Sequence, residues 1–250
     1  MNKRGKVFYE DLDLRYSSKI ALFMHNRPEF VTNWYGTINI GAVPAFINNN
    51  LRLVLYIIDH ISLFFRLKQL THCLNISDSS VILVDGADDN LEAIFDIREE
   101  ILKSGKRILV DDADCQLPSS DFERFTPLLE NKSVEAIPRS WGRDQIQQND
   151  PFCLIFTSGT TGLPKAAPYT HQAAQKSCSF KYVMGMKPGD VNYCALPLYH
   201  TMASQVGVTG AVIAGASIAI APRFSATKFW EDVVRYDATY VHYIGQGIKS

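Results

Sequence analysis

The amino-acid sequence predicts an α/β fold in which mostly parallel sheets are flanked by helices. Apolar runs of strand length alternate with helical patterns along most of the chain, and this alternation is typical of parallel sheets. Glycine and proline mark several of the boundaries between them. Residues 80–110 show a strand, a helix and a second strand in succession, which implies a right-handed parallel crossover.

The first elements follow from local signals. Residues 19–24 read as a buried strand. Pro28 suits the first turn of a helix that spans 28–40 and stops at Gly41. A second short strand is expected over 42–47.

A strand at 80–85 precedes a helix that the run Asp88-Asp89-Asn90 can cap and that Gly105 ends. Residues 111–150 are rich in Asp, Ser, Pro and Gln, and we expect a surface connection with one short helix near 121–130. The remaining expected elements are strand 106–110, strand 152–156, helix 171–184 capped by Thr170, strand 191–196, helix 203–214 ended by Gly215, strand 216–221, capped helix 225–235 and strand 239–244.

The composition excludes several classes of protein. With 250 residues, the chain can form one large domain or two small ones. It is 46% apolar and 20% charged, which argues against disorder. Its net charge of −1 gives no indication of binding to nucleic acid or to an anionic membrane. The five cysteines form no C-x-x-C pair, so we expect reduced, mostly buried thiols and no zinc site.

Targeting and membrane segments are not evident in the sequence. Residues 1–13 are polar and lack the apolar region of a signal peptide. The longest apolar stretch, 51–67, carries Arg52, Asp59 and Arg66, so it is too short and too charged for a good transmembrane helix.

The most informative stretch is the run LIFTSGTTGLPK at residues 154–165. A buried strand runs into six residues made only of Thr, Ser and Gly, and Lys165 follows. Hydroxyls and backbone N–H groups can cradle phosphate oxygens, glycines let the backbone approach closely, and the lysine supplies a positive charge. The pattern predicts binding of a nucleotide polyphosphate. Its alternative, a flexible surface turn, is much less expected because chance rarely assembles this composition between a buried strand and a Pro-Lys pair.

This run differs from the phosphate loop of ordinary nucleoside triphosphatases, in which the lysine directly follows the last glycine and a helix begins. Here Leu163 and Pro164 separate Gly162 from Lys165, and Pro168 disfavours an immediate helix. We therefore expect the loop to link two strands.

The run at 154–165 resembles the AMP-binding signature of the adenylate-forming superfamily, which includes acyl-CoA synthetases, luciferases and peptide-synthetase adenylation domains. Within the superfamily, the likeness is closest to the fatty-acid transport proteins, also called very-long-chain acyl-CoA synthetases. The further segments that match are ALFMHNRPEF at 21–30, NNNLR at 48–52, LPLYH at 196–200, FSATKFW at 224–230 and YVHYIG at 240–245.

The resemblance implies a two-step reaction of a fatty acid, ATP and coenzyme A. The carboxylate attacks the α-phosphate of ATP to give acyl-adenylate and pyrophosphate, and the thiol of coenzyme A then displaces AMP. Lys165 would offset charge on the departing pyrophosphate, and Mg²⁺ would be shared between the phosphates and the hydroxyl of Thr161. The residues implied to contact the β- and γ-phosphates are Thr157, Ser158, Thr160 and Thr161, with backbone access at Gly159 and Gly162.

His200 follows the carboxyl end of a strand, where open α/β sheets usually bind ligands. A lone histidine is more often satisfied by local hydrogen bonds. The resemblance instead favours a position near the acyl-adenylate, as a positioning residue and not a base. Tyr199 is left open between pocket wall and core, and helix 203–214 is expected to pack in the core. The residues to which we assign only a core or helix-start role are His171, His242 and Trp230.

Three departures from the family pattern limit these inferences. The later motifs of the family and its mobile C-terminal lid are not found, so residues 1–250 are expected to form an incomplete N-terminal adenylation domain. The segment before the first strand is also shorter than in the family. A run near 53–67 separates segments that lie close together in the family, and we expect an insertion of about fifteen residues there.

Two functions remain open. The first is a long-chain or very-long-chain fatty acid–CoA ligase linked to fatty-acid uptake. The second, favoured for this polypeptide because closing lids commonly assemble such sites, is an inactive fragment that binds a nucleotide or a partner. A ligase for aryl or amino acids is less expected. The resemblance also implies peripheral association with the endoplasmic reticulum, plasma membrane or peroxisome. The sequence indicates no nucleic-acid partner, and it leaves oligomeric state and chain-length preference open.

Overall fold

The computed structural model describes residues 1–49, 61–157 and 162–243. The helices of this part are α1 Asn2–Glu10, α2 Pro28–Ile38, α3 Ile61–Ile76, α4 Asp88–Asp96, α5 Arg98–Lys103, α6 Thr126–Glu130, α7 His171–Cys178, α8 Phe180–Met184, α9 Gly210–Ala214 and α10 Ala226–Arg235. The strands are β1 Lys19–Phe23, β2 Val43–Phe46, β3 Val81–Val84, β4 Arg107–Val110, β5 Phe122–Arg124, β6 Pro151–Thr157, β7 Lys165–Thr170, β8 Val191–Cys194, β9 Ser217–Ile220 and β10 Tyr240–Val241. A π-helical segment, Met202–Thr209, precedes α9, and two short 3₁₀ turns span Arg139–Trp141 and Arg143–Gln145.

These strands form two sheets. The first has the order β5-β4-β3-β1-β2-β6-β7, and the second has the order β10-β8-β9. The strand pairs are parallel in both sheets except for β6 and β7, which pair antiparallel. The prediction of an α/β fold with mostly parallel sheets is therefore confirmed.

The first sheet is covered on both faces. Leu154 on β6 packs into one apolar cluster with residues of α3, α4 and α5. Its chain neighbours Cys153 and Ile155 belong to a second cluster, which includes α1, α2 and the π-helical segment. Because successive side chains of a strand point to opposite faces, these two clusters lie on opposite sides of the sheet. The strand therefore reads as an uninterrupted apolar run, as a buried parallel sheet requires.

The two sheets meet where Asn26 follows β1. Its side-chain amide donates hydrogen bonds to the carbonyl oxygens of Leu196, at 2.8 Å, and Ala221, at 3.1 Å. Its side-chain oxygen accepts one from the backbone N–H of Leu198, at 2.8 Å. Leu196 follows β8 and Ala221 follows β9. One side chain thus joins the carboxyl ends of strands from both sheets.

Most helix boundaries have the predicted local causes. Pro28 occupies the first turn of α2. Gly41 and Gly215 adopt left-handed φ values of 71° and 70°, which cost glycine little. The side-chain oxygens of Thr170 and Ser225 accept hydrogen bonds from the first-turn N–H groups of α7 and α10.

Several local predictions are wrong. The run 88–90 does not cap α4, which begins after Ala87 with Asp88 and Asp89 in its first turn, where their charge favours the helix. β5 and α1 were not predicted, and the helix expected over 203–214 is π-helical in its first part. Trp230 lies on the outer side of α10 with 60% of its surface exposed, so it is not a core residue.

The insertion expected near 53–67 falls partly outside the described residues. Its last part, 61–67, is continuous with α3, which runs on through His72 to Ile76. Across the described ranges, no helix is both long and apolar enough to cross a bilayer.

Candidate functional site

Two of the predicted phosphate-binding residues face each other at the end of β6. Thr157 pairs with Lys165 at the last position of the antiparallel β6–β7 ladder, and both residues are exposed. Cα atoms of opposite residues in such a ladder lie about 4.5–5.5 Å apart. As predicted, the loop links two strands. The hydroxyl of Thr157 and the ammonium group of Lys165 therefore lie on either side of the point where the loop leaves the sheet.

The rest of the loop is described only in part. Ser158, Gly159, Thr160 and Thr161 lie outside the described residues. Gly162 has a φ of 85°, and apart from its chain neighbours no described residue has an atom within 4 Å of where a Cβ would lie. Its backbone is thus open to a ligand, and a larger residue would be strained by the conformation and not by crowding.

Helix α3 holds the chain between the loop and Lys165. His72 donates a hydrogen bond from Nε2 to the carbonyl oxygen of Pro164, at 3.0 Å, and Pro164 is buried. Gln69 donates a longer one, of 3.4 Å, to the carbonyl oxygen of Gly162. These contacts could not be predicted from the sequence, because α3 and the loop are about ninety positions apart.

His200 lies beyond the carboxyl end of β8, where it was expected. Its carbonyl oxygen accepts hydrogen bonds from the N–H and hydroxyl of Ser204, at 3.0 and 2.9 Å, and so helps to start the π-helical segment. The imidazole packs against the ring of Tyr199, with ring centroids 4.5 Å apart, and this partial loss of water lowers the pKa of His200. The residue remains exposed, and no described residue hydrogen-bonds to its ring. A neutral histidine there can position a ligand.

The residues behind His200 belong to the core. Tyr199 is buried with the cluster that covers β6, as are Ala203 and Val208 of the π-helical segment. Gln205 is fully buried and donates a hydrogen bond to the sulfur of Cys153, at 3.4 Å. The expected core role of this helix is confirmed, and its π-helical turns are of a kind frequent at functional sites.

Sequence reasoning missed a third feature, at the topological switch point of the first sheet. The chain leaves β1 for β2 on one side and later returns to β3 on the other, and ligands commonly bind beyond the carboxyl ends of such strands. His25 follows β1 there and Asp85 follows β3. A cleft of about 410 Å³ opens at this point, and its lining residues are His25, Asn26, Asn49, Asp89, Ala195, Pro197, Pro222, Arg223 and Phe224.

A buried carboxylate fixes the imidazole in this cleft. Asp85 accepts hydrogen bonds from the backbone N–H of His25, at 2.7 Å, from its Nδ1, at 2.9 Å, and from Asn90, at 2.8 Å. Burial alone would raise the pKa of Asp85, but the hydrogen bonds from His25 hold that pKa below its usual value. Asp89 lies 3.6 Å from Nε2. The polar residues after β1 and β3 were visible in the sequence, but only the strand order brings them together.

The two predicted features, the loop and His200, lie along the same edge of the molecule as the cleft at His25. β6 is parallel to β2, which is parallel to β1, so Thr157 lies at the same edge of the first sheet as His25. Two strand spacings, or about 10 Å, separate β1 from β6. Asn26 brings the segment that carries His200 to this edge. The structure thus places Thr157, Lys165 and His200 on one side of the protein.

The donor set at the loop fits a polyphosphate. The exposed hydroxyl of Thr157, the open backbone at Gly162 and the ammonium group of Lys165 are groups that bind phosphate oxygens. Hydroxyl oxygen is also a ligand type that Mg²⁺ accepts beside phosphate. Among the described residues, no group of three or more His, Cys, Asp or Glu side chains could hold a metal ion.

Comparison with known proteins gives a consistent pattern. A family model described as AMP-binding enzyme matches residues 2–248. The long-chain fatty acid transport protein 2 of Rattus norvegicus is 31% identical over 248 residues, which cover 99% of this chain and 37% of the relative. The long-chain fatty acid transport protein 6 of Mus musculus is 34% identical over 247 residues, which cover 98% of this chain and 36% of the relative. The chain thus spans little more than a third of these relatives.

Solved structures share the fold at lower identity. The inhibitor-bound N-terminal domain of FACL13 from Mycobacterium tuberculosis has a TM-score of 0.74 at 22% identity, with 98% of this chain and 54% of that chain covered. The O-succinylbenzoate coenzyme A synthetase (MenE) from Bacillus subtilis, in complex with ATP and magnesium ion, has a TM-score of 0.68 at 20% identity, with 100% of this chain and 56% of that chain covered.

Proposed function

Because the chain belongs to the family of AMP-binding enzymes, we propose that it is the ATP-handling part of a long-chain or very-long-chain fatty acid–CoA ligase. The observation that carries this proposal is the pairing of Thr157 with Lys165 across the mouth of the loop. The relatives named above, which are fatty acid transport proteins, support the choice of a fatty acid as the acid substrate.

In the proposed first step, the fatty-acid carboxylate attacks the α-phosphate of ATP, and the bond to the β-phosphate oxygen breaks to release pyrophosphate. Thr157 and the loop residues Ser158 to Thr161 bind the β- and γ-phosphates and hold them in line. Lys165 offsets the charge that builds up on the departing pyrophosphate. Mg²⁺, held beside the hydroxyl of Thr161, would supply further charge neutralisation. Rate enhancement then comes from positioning and electrostatics.

In the proposed second step, the thiol of coenzyme A attacks the acyl carbon and AMP leaves. His200 positions the acyl-adenylate from the second sheet, and its lowered pKa keeps the imidazole neutral near pH 7. The cleft at His25 and Arg223 lies on the same edge and is a candidate place for a second ligand of the reaction. Peripheral association with a membrane, which the family resemblance implies, is part of the proposal.

An alternative function is nucleotide binding without turnover. The chain spans 37% and 36% of two fatty acid transport proteins, so the turnover of a whole ligase is not carried over to it. The two functions differ in whether pyrophosphate is released.

Pyrophosphate release distinguishes the ligase from the protein that only binds a nucleotide. The purified chain is mixed with MgATP and either oleate or lignoceric acid, with Lys165→Ala as the control. Release that depends on the acid and is lost in Lys165→Ala supports the ligase. Saturable ATP binding without release supports the alternative. An equal signal from both proteins would reject the role of the loop.

A further inference from the structure

We infer that a buried polar pair, Asn192 and His242, selects a fatty acid that carries a hydroxyl group on its acyl chain. Asn192 lies on β8, and His242 directly follows β10. The inference rests on the proposed function and deepens it, because it names the kind of acid that His200 would position. It also gives His242 a role beyond the core position expected from the sequence.

Both side chains point at the same place on the π-helical segment. Strand pairing puts Asn192 opposite Tyr240, so His242, two positions further on, faces the same side of the second sheet. A Cβ added to Gly207 would lie 3.6 Å from Nδ2 of Asn192 and 3.5 Å from Cδ2 of His242. The two polar groups therefore meet at a position where the helix has no side chain.

Each of the two side chains has a buried polar atom without a hydrogen-bond partner. Asn192 is fully buried, and His242 is 9% exposed. The amide Nδ2 of Asn192 donates a hydrogen bond to the carbonyl oxygen of Gly207, at 2.9 Å, so its Oδ1 is the free atom. Within the described part of the chain, neither this Oδ1 nor Nε2 of His242 has a partner. Such atoms are rare in folded proteins, and a ligand or a water molecule usually satisfies them.

The helix beside this pair leaves room for a ligand. Its small buried residues are Ala203, Gly207, Gly210, Ala211 and Ala214. Apart from the chain neighbours and the backbone of the same helix, no described residue has an atom within 4 Å of where a Cβ of Gly210 would lie. The described residues thus leave space along a buried helix, and two unpaired polar atoms point towards that helix.

A hydroxyl group fits the pair because it can both donate and accept a hydrogen bond. Its O–H can donate to Oδ1 of Asn192, and its oxygen can accept from Nε2 of His242. Burial lowers the pKa of His242, so the ring is neutral near pH 7, and one tautomer carries its proton on Nε2. A methylene group at the same place would leave both atoms unpaired, and a keto oxygen would pair with His242 alone.

The length of the helix determines which carbon carries the hydroxyl group. His200 helps to start the π-helical segment, and Gly207 follows seven positions later. Seven residues of helix span about 10 Å or less. An extended chain advances about 1.2 Å per bond. An acyl chain that runs along the helix from a carboxyl group at His200 therefore brings roughly its eighth to tenth carbon to the pair.

The test is calorimetric titration of the purified chain, without nucleotide, with 10-hydroxystearate, 2-hydroxystearate and stearate. We expect 10-hydroxystearate to bind at least about tenfold more tightly than the other two acids, since a site built for a hydroxyl group rejects an analogue that lacks it there. His242→Phe keeps a ring but removes its nitrogen atoms, and should lower this preference below about threefold. His242→Gln keeps a hydrogen-bonding group and should retain most of it. His171→Phe alters another histidine ring, which packs against Phe152, and should leave the preference unchanged.

Four results would overturn the inference. These are equal affinity of the unaltered chain for 10-hydroxystearate and stearate, a preference that His242→Phe leaves intact, an equal loss in His242→Phe and His171→Phe, or no binding of any of the three acids by the folded chain. Circular dichroism checks that each variant is folded. Stearate bound without a preference leaves the ligase proposal standing, whereas ATP binding that does not depend on Lys165 rejects that proposal whichever acid is bound.

Discussion

Replacing Asn26 by alanine is expected to loosen the junction of the two sheets. The side chain makes three hydrogen bonds, to Leu196, Ala221 and Leu198, at 2.8, 3.1 and 2.8 Å. Each such bond contributes about 0.5–1.5 kcal/mol net, and alanine removes all three together. Asn26 is only half-buried and lines the cleft, so water can reach the freed groups. We therefore expect the free energy of unfolding to fall by about 1.5–3 kcal/mol.

Urea unfolding followed by circular dichroism measures this loss. The midpoint should fall without a change in the slope, which depends on the surface exposed by unfolding. Asn26→Asp should destabilise the protein near pH 7 by at least as much, because its carboxylate accepts from Leu198 but faces two carbonyl oxygens. Asn131→Ala, at the exposed end of α6, is the matched control and should change stability by less than about 0.5 kcal/mol. A loss below about 0.5 kcal/mol in Asn26→Ala would refute the claim that this residue joins the sheets.

Two further predictions concern histidines. Burial lowers the pKa of His171, His200 and His242 below the usual 6.5, so the unfolded chain binds protons more readily below that pH. Stability that is complete above about pH 6.5 should decline as the pH falls, and a urea midpoint at about pH 5.5 that equals or exceeds the one at about pH 7.5 would contradict this. His72→Ala removes the 3.0 Å hydrogen bond to the phosphate-loop segment and should weaken MgATP binding about two- to tenfold in a titration. Gln69→Ala removes a longer, exposed contact and should change that affinity by less than about twofold, and equal effects of the two variants would argue against a positioning role for His72.

Short-range sequence signals predicted the elements whose type and boundaries depend mainly on neighbouring residues. The alternation of apolar strands with helices gave the fold class, and Pro28, Gly41, Thr170 and Gly215 gave helix boundaries that the structure confirms. The same reasoning missed β5, because three residues with a mixed pattern resemble a loop until they pair with β4. The π-helical form of Met202–Thr209 likewise depends on packing against β6 and β8.

The candidate site was predictable to the same extent. The expectation that the loop links two strands is confirmed, and the antiparallel pairing of those strands brings Thr157 opposite Lys165. The contact of His72 with Pro164 and the pairing of His25 with Asp85 could not be predicted, because they depend on strand order and on contacts between distant parts of the chain. The roles of Ser158 to Thr161 remain predictions, since these residues lie outside the described part.

Binding of MgATP to the purified chain and to Lys165→Ala tests whether the β6–β7 loop holds the nucleotide phosphates, with Lys228→Ala on α10 as the control for loss of an exposed lysine. We expect saturable binding that Lys165→Ala weakens about ten- to a hundredfold, because a charge-assisted contact with phosphate is removed. Lys228→Ala should bind as the unaltered chain does. Equal affinity of all three proteins, or no binding by the folded chain, would contradict the assignment of the β6–β7 loop as a nucleotide phosphate site.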